Sequence, residues 1–263
     1  MNKKAVLFLI ISLYCTPLKS KIKHILIDPN VIFTTNNSKA AGYVGKWESL
    51  KYTAATGHLP SQKHFFDALR TVPATSSVIT YDETFTAPLI ISDWLLGFST
   101  SDLKTKIKKF LDSSSMSKPE KNVYTNTVNM MFDGTSLAKV QKVRNKVEKL
   151  LKQLKQAGYK IYFAGNWTKI EPLKKAFPKI FAQIDGVCIS SDIKLLKPEI
   201  EFWETVWASQ NLTPEECLCI EAEPKFYQTA SQSQLPCKTV LYQHKDFKRF
   251  CNDLKKVGVS VSL

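Results

Sequence analysis

The chain has 263 residues, 44% of them hydrophobic, which suits one large or two modest globular domains and argues against disorder. Its formal net charge of +14 comes from 37 Lys plus Arg against 23 Asp plus Glu, a balance that favours acidic partners or surfaces. Arginine is scarce and the lysines are spread along the chain without aromatic-interleaved tracts, so nucleic acid is not an expected partner.

Asn2-Lys3-Lys4 followed by the apolar run Ala5 to Tyr14 has the charged start and short apolar core of a secretory signal. That core is too short to span a bilayer. Ser20 is the better small residue for cleavage, so residues 1–20 read as a signal peptide and the mature chain as exported, with no stable membrane anchor left. A lipoprotein anchor on Cys15 is disfavoured by the bulky Tyr14 before it. Cys188, Cys217, Cys219, Cys237 and Cys251 remain, an odd number that leaves at least one thiol free. Cys237 and Cys251 are a conceivable pair, and Cys217-Leu218-Cys219 is a weak metal signal without a neighbouring His.

Ile25-Leu26-Ile27 is an uninterrupted apolar run, expected for a strand buried on both faces of a parallel sheet. It ends on Asp28, at the carboxyl edge where such sheets bind ligands. Pro29 is expected to hold Asp28 extended and to stop a helix from beginning at once.

Residues 35–135 carry helical periodicity and almost no strand signal. Trp47, Leu50 and Ala54 share an apolar face that stops at Gly57, and Ser61 caps a helix with Phe65, Phe66 and Leu69. Helices follow over Pro88 to Gly97, over Leu103, Ile107, Phe110 and Leu111, and over Val123, Met130 and Met131; Ser113 to Pro119 reads as a surface linker. From Ser136 to Ala157, Leu137, Val140, Val143, Val147, Leu150, Leu151 and Leu154 describe one long amphipathic helix ended by Gly158. Its row of lysines reads as a solvated face.

Strands and helices then alternate: Ile161–Ala164, Thr168–Phe177, Val187–Ser190, Glu199–Ser209, Cys217–Glu221, Phe226–Ala230, Thr239–Tyr242, Phe247–Lys256. That rhythm predicts the α/β class, a doubly wound, Rossmann-like parallel-sheet core from residues 21–34 and 136–263, with residues 35–135 inserted as an α-helical cap above the crevice.

The strand ends bring Asp28, Asn166, Lys197, Glu221 and Glu223 to one edge. A nucleophilic carboxylate, an amide, an ammonium and a cation-holding acid are what phosphoryl transfer through an aspartyl-phosphate requires. In this order the segments resemble the haloacid dehalogenase superfamily, dominated by magnesium-dependent phosphatases. Ile25-Leu-Ile-Asp28 is similar to the nucleophile strand, Tyr162-Phe-Ala-Gly-Asn166-Trp167 to the second motif, Lys197-Pro-Glu-Ile-Glu-Phe202 to the lysine motif, and Cys217-Leu-Cys-Ile-Glu221-Ala-Glu223 to the acidic fourth motif.

The resemblance implies Asp28 as nucleophile, Gly165, Asn166 and Lys197 on the phosphoryl group, and Mg2+ held by Asp28, the Asn30 carbonyl and Glu221 or Glu223, acting on a small phosphorylated substrate. It also exposes departures. Asn30 stands where the family carries its second, acid–base aspartate, Gly165 replaces a Ser or Thr, and Glu221 and Ala222 replace paired aspartates. General acid–base catalysis contributes about a hundred- to ten-thousandfold, roughly 3–5 kcal/mol of barrier, so Asn30 alone predicts slow turnover. The expected function is a weak, exported, magnesium-dependent phosphatase, with an inactive binding relative as the alternative.

Overall fold

The structure is a computed structural model that describes residues 21–74, 88–232, 235–243, 245–259 and 261; the expected signal peptide lies outside them. The described strands are β1 (His24–Ile27), β2 (Phe33–Thr35), β3 (Gln141–Val143), β4 (Lys160–Gly165), β5 (Gly186–Ile189), β6 (Cys217–Glu221) and β7 (Lys238–Leu241). Five of them make one parallel sheet in the order β5-β4-β1-β6-β7. The doubly wound α/β core is therefore present.

β1 is the centre of that sheet, with Ile25 registered between Ile161 of β4 and Leu218 of β6. Its unbroken apolar run follows from this position, because successive side chains enter two different cores. Ile25, Ile27, Ile161, Phe163, Leu218 and Ile220 face a layer that contains Leu150, Leu151 and Leu154 of the helix Val147–Gln156 and Phe250 and Leu254 of the helix Phe247–Lys256. Leu26, Tyr162, Ala164 and Cys219 face the opposite layer, filled by Phe202, Trp203 and Val206 of the helix Ile200–Ser209. From β1 the chain moves to β4 and β5 on one side, then crosses back to β6 and β7 on the other. The strand order thus reverses beside β1, and its carboxyl end opens into the crevice that such a reversal leaves.

A third core is helical. Tyr52, Phe65, Phe66, Leu69, Ile90, Trp94, Leu103, Ile107, Tyr124 and Phe132 pack together, joined by Leu196 and Phe226 from the α/β part. The helical segment is tied down by polar contacts as well: the Ser190 hydroxyl donates to the Leu95 carbonyl at 2.7 Å, and Lys194 Nζ to the Leu96 carbonyl at 2.9 Å.

Several local expectations are corrected. A helical turn, Pro29–Ile32, does begin directly after Asp28, because proline at the first helical position loses no needed N–H and has its φ preset. Asp28 is its N-cap. The single helix expected over residues 136–157 is broken into Gly134–Val140, the strand β3 and Val147–Gln156. β3 pairs antiparallel with β2, the Arg144 N–H donates to the Ile32 carbonyl at 2.8 Å, and Lys146 turns the chain at φ 69°. Ladder pairing from a distant segment outweighs the local helical period. A helix Asn37–Val44, capped by the Asn36 side chain, was not anticipated.

The expected linker is shorter than its composition suggests. Ser117 and Glu120 form a reciprocal capping box that starts the helix Lys118–Met131, and Pro119 lies in its first turn. Of the helix expected over Thr168–Phe177 only Glu171–Ala176 forms, and a separate helical turn, Pro178–Phe181, follows it. All five described cysteines are free thiols, and Cys237 lies 3.4 Å from Cys219 instead of pairing with Cys251.

The most informative correction concerns the helix Lys46–Thr56. Its apolar stripe faces outward, with Trp47 66% and Leu50 59% exposed, while Tyr52 is buried. The inward face is set by the helix Lys118–Met131: the Tyr52 and Tyr124 hydroxyls meet at 3.1 Å and the Asn122 amide donates to Glu48 at 3.0 Å. Lys51 leans over the Trp47 ring at 5.6 Å. Chemical denaturation checks this orientation. Tyr52→Ala is expected to cost about 3–5 kcal/mol as a core aromatic truncation, and Trp47→Ala about 0.5 kcal/mol or less; the reverse ranking contradicts the packing described.

Candidate active site

Asp28 is the first residue beyond β1 and is only 2% exposed. Its backbone N–H still donates to the Ile220 carbonyl of the sheet, while its Oδ1 accepts the Asn30 N–H at 2.7 Å. The carboxylate is therefore fixed by the strand on one side and by the helical turn it caps on the other. Glu221 ends β6, also buried.

Between them stands Lys197, fully buried, whose ammonium contacts Asp28 Oδ2 directly and Glu221 Oε2 at 2.7 Å. Lys197 lies outside any helix or strand, in a turn whose Glu199 N–H donates to the Leu196 carbonyl at 2.9 Å, and that turn alone does not fix it against the sheet. Asn166, just after β4, does it: its Oδ1 accepts the Lys197 N–H at 2.7 Å and its Nδ2 donates to the Lys197 carbonyl at 3.0 Å. The rings of Trp203 and Phe226 flank the ammonium at 5.4 and 5.2 Å.

Burial alone would discharge such a lysine, yet Asp28 and Glu221 outweigh it and hold the ammonium above its ordinary value. Glu221 is the group that yields: burial pushes it up to about 7, against the pull of Lys197 and helped by the nearby Asp28 charge. In the folded protein Glu221 thus takes up a proton near neutrality.

Gly165 ends β4 where it passes the Asp28 turn. A Cβ there would lie 2.5 Å from Pro29 Cδ and 3.0 Å from Asp28 Oδ2. Pro29 occupies the space that a Ser or Thr side chain at position 165 would need.

Above the rim lies a cavity of about 390 Å³. Its polar wall includes Asn30, Asn166, Thr168, Arg144 and Glu223, and its apolar wall includes Phe66, Ile91, Trp94, Leu95 and Met131 of the helical segment. The structure therefore gathers Asp28, Asn166, Lys197 and Glu221 into one bonded cluster, with Gly165 against it, and sets Asn30 and Glu223 on the cavity wall. Asn166 touches Lys197 through both ends of its amide, which makes it a clasp for that backbone. The sequence did not single out Arg144, whose Nε donates to the Asn30 carbonyl at 2.8 Å; only its pairing beside β2 brings it here. Ser190, which also accepts the Trp167 N–H at 3.1 Å, gave no sequence signal either.

No protein-family model matches the sequence, and no curated protein matches it. Solved structures do. A predicted HAD-like family hydrolase from Porphyromonas gingivalis is 14% identical with a TM-score of 0.54, covering 90% of this chain and 99% of its own. A HAD family enzyme from Bacteroides thetaiotaomicron is also 14% identical, with a TM-score of 0.53 over 86% of this chain and 95% of its own. The chain has the haloacid dehalogenase fold. The Bacteroides HAD enzyme was also crystallised with magnesium and inorganic phosphate, again at 14% identity and a TM-score of 0.53, covering 85% of this chain and 95% of that one.

Such an ion needs open oxygen ligands and a surplus of negative charge. The oxygens here are of the right kind, but they are engaged by cations: Lys197 sits on both Asp28 and Glu221, and Arg144 sits on the Asn30 carbonyl. Among the described residues, moreover, no three His, Cys, Asp or Glu side chains gather as a cation site. In this arrangement the residues do not fit a divalent ion, and no chemical step is routed through one.

Two measurements probe the cluster. Gly165→Ala is expected to lower stability by about 1–3 kcal/mol, because the new methyl meets the Pro29 ring; an unchanged denaturation midpoint would refute the close approach. Glu221 carries a pH signature with a definite sign. Its folded value, about 7 against 4.5, means that the native state binds the extra proton, so its stabilising contribution is lost as pH rises from about 4.5 through 7. Melting curves of Glu221→Gln lack that loss, so the variant gains on the wild type by a few degrees between pH 5 and 8. A gap that stays constant with pH contradicts the raised value.

Proposed function

We propose that the protein is a phosphatase-type hydrolase of the HAD fold, acting on small phosphorylated molecules with Asp28 as nucleophile. One observation carries this reading: the buried Asp28–Lys197–Glu221 cluster closes the central strand at the reversal of strand order, and its neighbours Asn30, Asn166 and Glu223 line a cavity of about 390 Å³. A carboxylate desolvated and held in a single orientation by Lys197 and the Asn30 N–H is positioned for nucleophilic attack. An Asp28 oxygen would attack phosphorus as the ester oxygen leaves, and water would then hydrolyse the aspartyl-phosphate.

The leaving oxygen needs a proton, and Asn30 has none to give as an acid. The proton must come from water in the cavity, so turnover is slow. The apolar wall formed by Phe66, Ile91, Trp94 and Met131 favours a phosphate ester with an apolar or aromatic organic part. In this proposal residues 35–135 act as the substrate-selecting cap, and the charged, apolar start of the chain directs it to export. The Asn30 amide in the acid–base place also favours a second reading, a non-catalytic relative that binds the same anion without turning it over.

Hydrolysis of a generic aryl phosphate, run with and without magnesium, separates the two. The hydrolase reading expects slow turnover by the wild type and only the uncatalysed rate from Asp28→Asn, whose shape preserves the Lys197 contact. Equal background from both proteins discards it in favour of the binding relative. Asn30→Asp restores a proton carrier and is expected to raise turnover by up to about a hundredfold.

A further inference from the structure

Arg144 enters the crevice from outside every motif. It follows β3, its N–H closes the two-stranded pair on Ile32, and its Nε donates to the Asn30 carbonyl at 2.8 Å, one residue beyond the proline that follows Asp28. Among the described residues that line the cavity it is the only cation. Lys197, the other cation of the site, is fully buried beneath the cavity wall and already bonded to two carboxylates. An anion entering this cavity needs a compensating positive charge close at hand.

A guanidinium provides that charge at every working pH and presents several N–H groups in a planar fork that matches phosphate oxygens. The Asn30 carbonyl fixes the fork by its Nε edge, which leaves less side-chain freedom to lose when an anion binds.

We propose that Arg144 is the phosphate-binding residue of this crevice, a fixed cation bound to the Asn30 carbonyl that lets the site take a phosphate group without a divalent ion. The inference rests on the phosphatase-type reading of the cavity and deepens it: the ligand is a phosphate monoester whose charge is met by Arg144. It also accounts for the crowding of cations on the oxygens that a metal would use.

Calorimetric titration of inorganic phosphate into the whole chain tests this, first with a chelator and then with magnesium. Wild type is expected to bind equally in both, within about twofold. Arg144→Gln is expected to weaken binding about ten- to a hundredfold, the size of a lost charge-assisted hydrogen bond, and Arg144→Lys to recover part of it. Thermal melting of each variant reports folding, and if Arg144→Gln fails to fold, Arg144→Lys carries the test: a folded Lys variant that binds phosphate as tightly as wild type overturns the role of Arg144. Binding that requires magnesium, or that a folded Arg144→Gln leaves unchanged, overturns the role of Arg144 while leaving the Asp28 reading in place. No phosphate binding by wild type in either condition overturns both.

Discussion

Lys197 is the constraint on which the rest of the structure depends. Its ammonium is fully buried against the Asp28 and Glu221 side chains, and neither it nor the Asp28 carboxylate is tolerable there without the other. Because each charge comes from a different part of the chain, satisfying them fixes the relative positions of the end of β1, the end of β6 and the irregular segment around residue 197. Asn166 extends the constraint to β4 by gripping the Lys197 backbone from both sides. A core made only of Ile, Leu and Phe would set the sheet spacing, but not the direction in which these polar groups point.

The residues around this cluster are coupled through space. Proline after Asp28 starts the helical turn and fills the room beside β4, which only a glycine at 165 allows. Asn30 then offers its N–H to Asp28 and its carbonyl to Arg144, so one residue bridges the carboxylate and the guanidinium. What remains is a site whose charges are largely matched by fixed protein groups. In the proposed reaction such preorganisation favours binding an anion and holding Asp28 still, while the Asn30 amide has no proton to give a leaving group.

The helical segment completes the crevice. Its own core is joined to the α/β part by Leu196 and Phe226, neighbours in sequence or space of the cluster lysine, so the cavity's apolar wall is held against the same segment that carries the charge. The segment's outer helix presents Trp47 and Leu50 to solvent, and its inward face is chosen by Tyr52, Glu48 and their partners on the helix Lys118–Met131.

The sequence by itself determined the parallel α/β core and the edge on which the polar groups meet. An unbroken Ile-Leu-Ile run can only be buried on both faces, and a strict alternation of strands and helices leaves the strand ends on one side. It also marked Asp28, Asn166 and Glu221, since a charge or amide closing an apolar strand is conspicuous at short range, and Lys197 through the order of the motifs. Tertiary structure alone decided which face of the helix Lys46–Thr56 is buried, because an apolar stripe does not say whether a partner exists for it. It decided that Ser136 to Ala157 is not one helix, because the pairing of β2 with β3 joins residues about a hundred positions apart. And it placed Arg144 on the Asn30 carbonyl, a contact with no local signature, since it depends on where two distant segments meet.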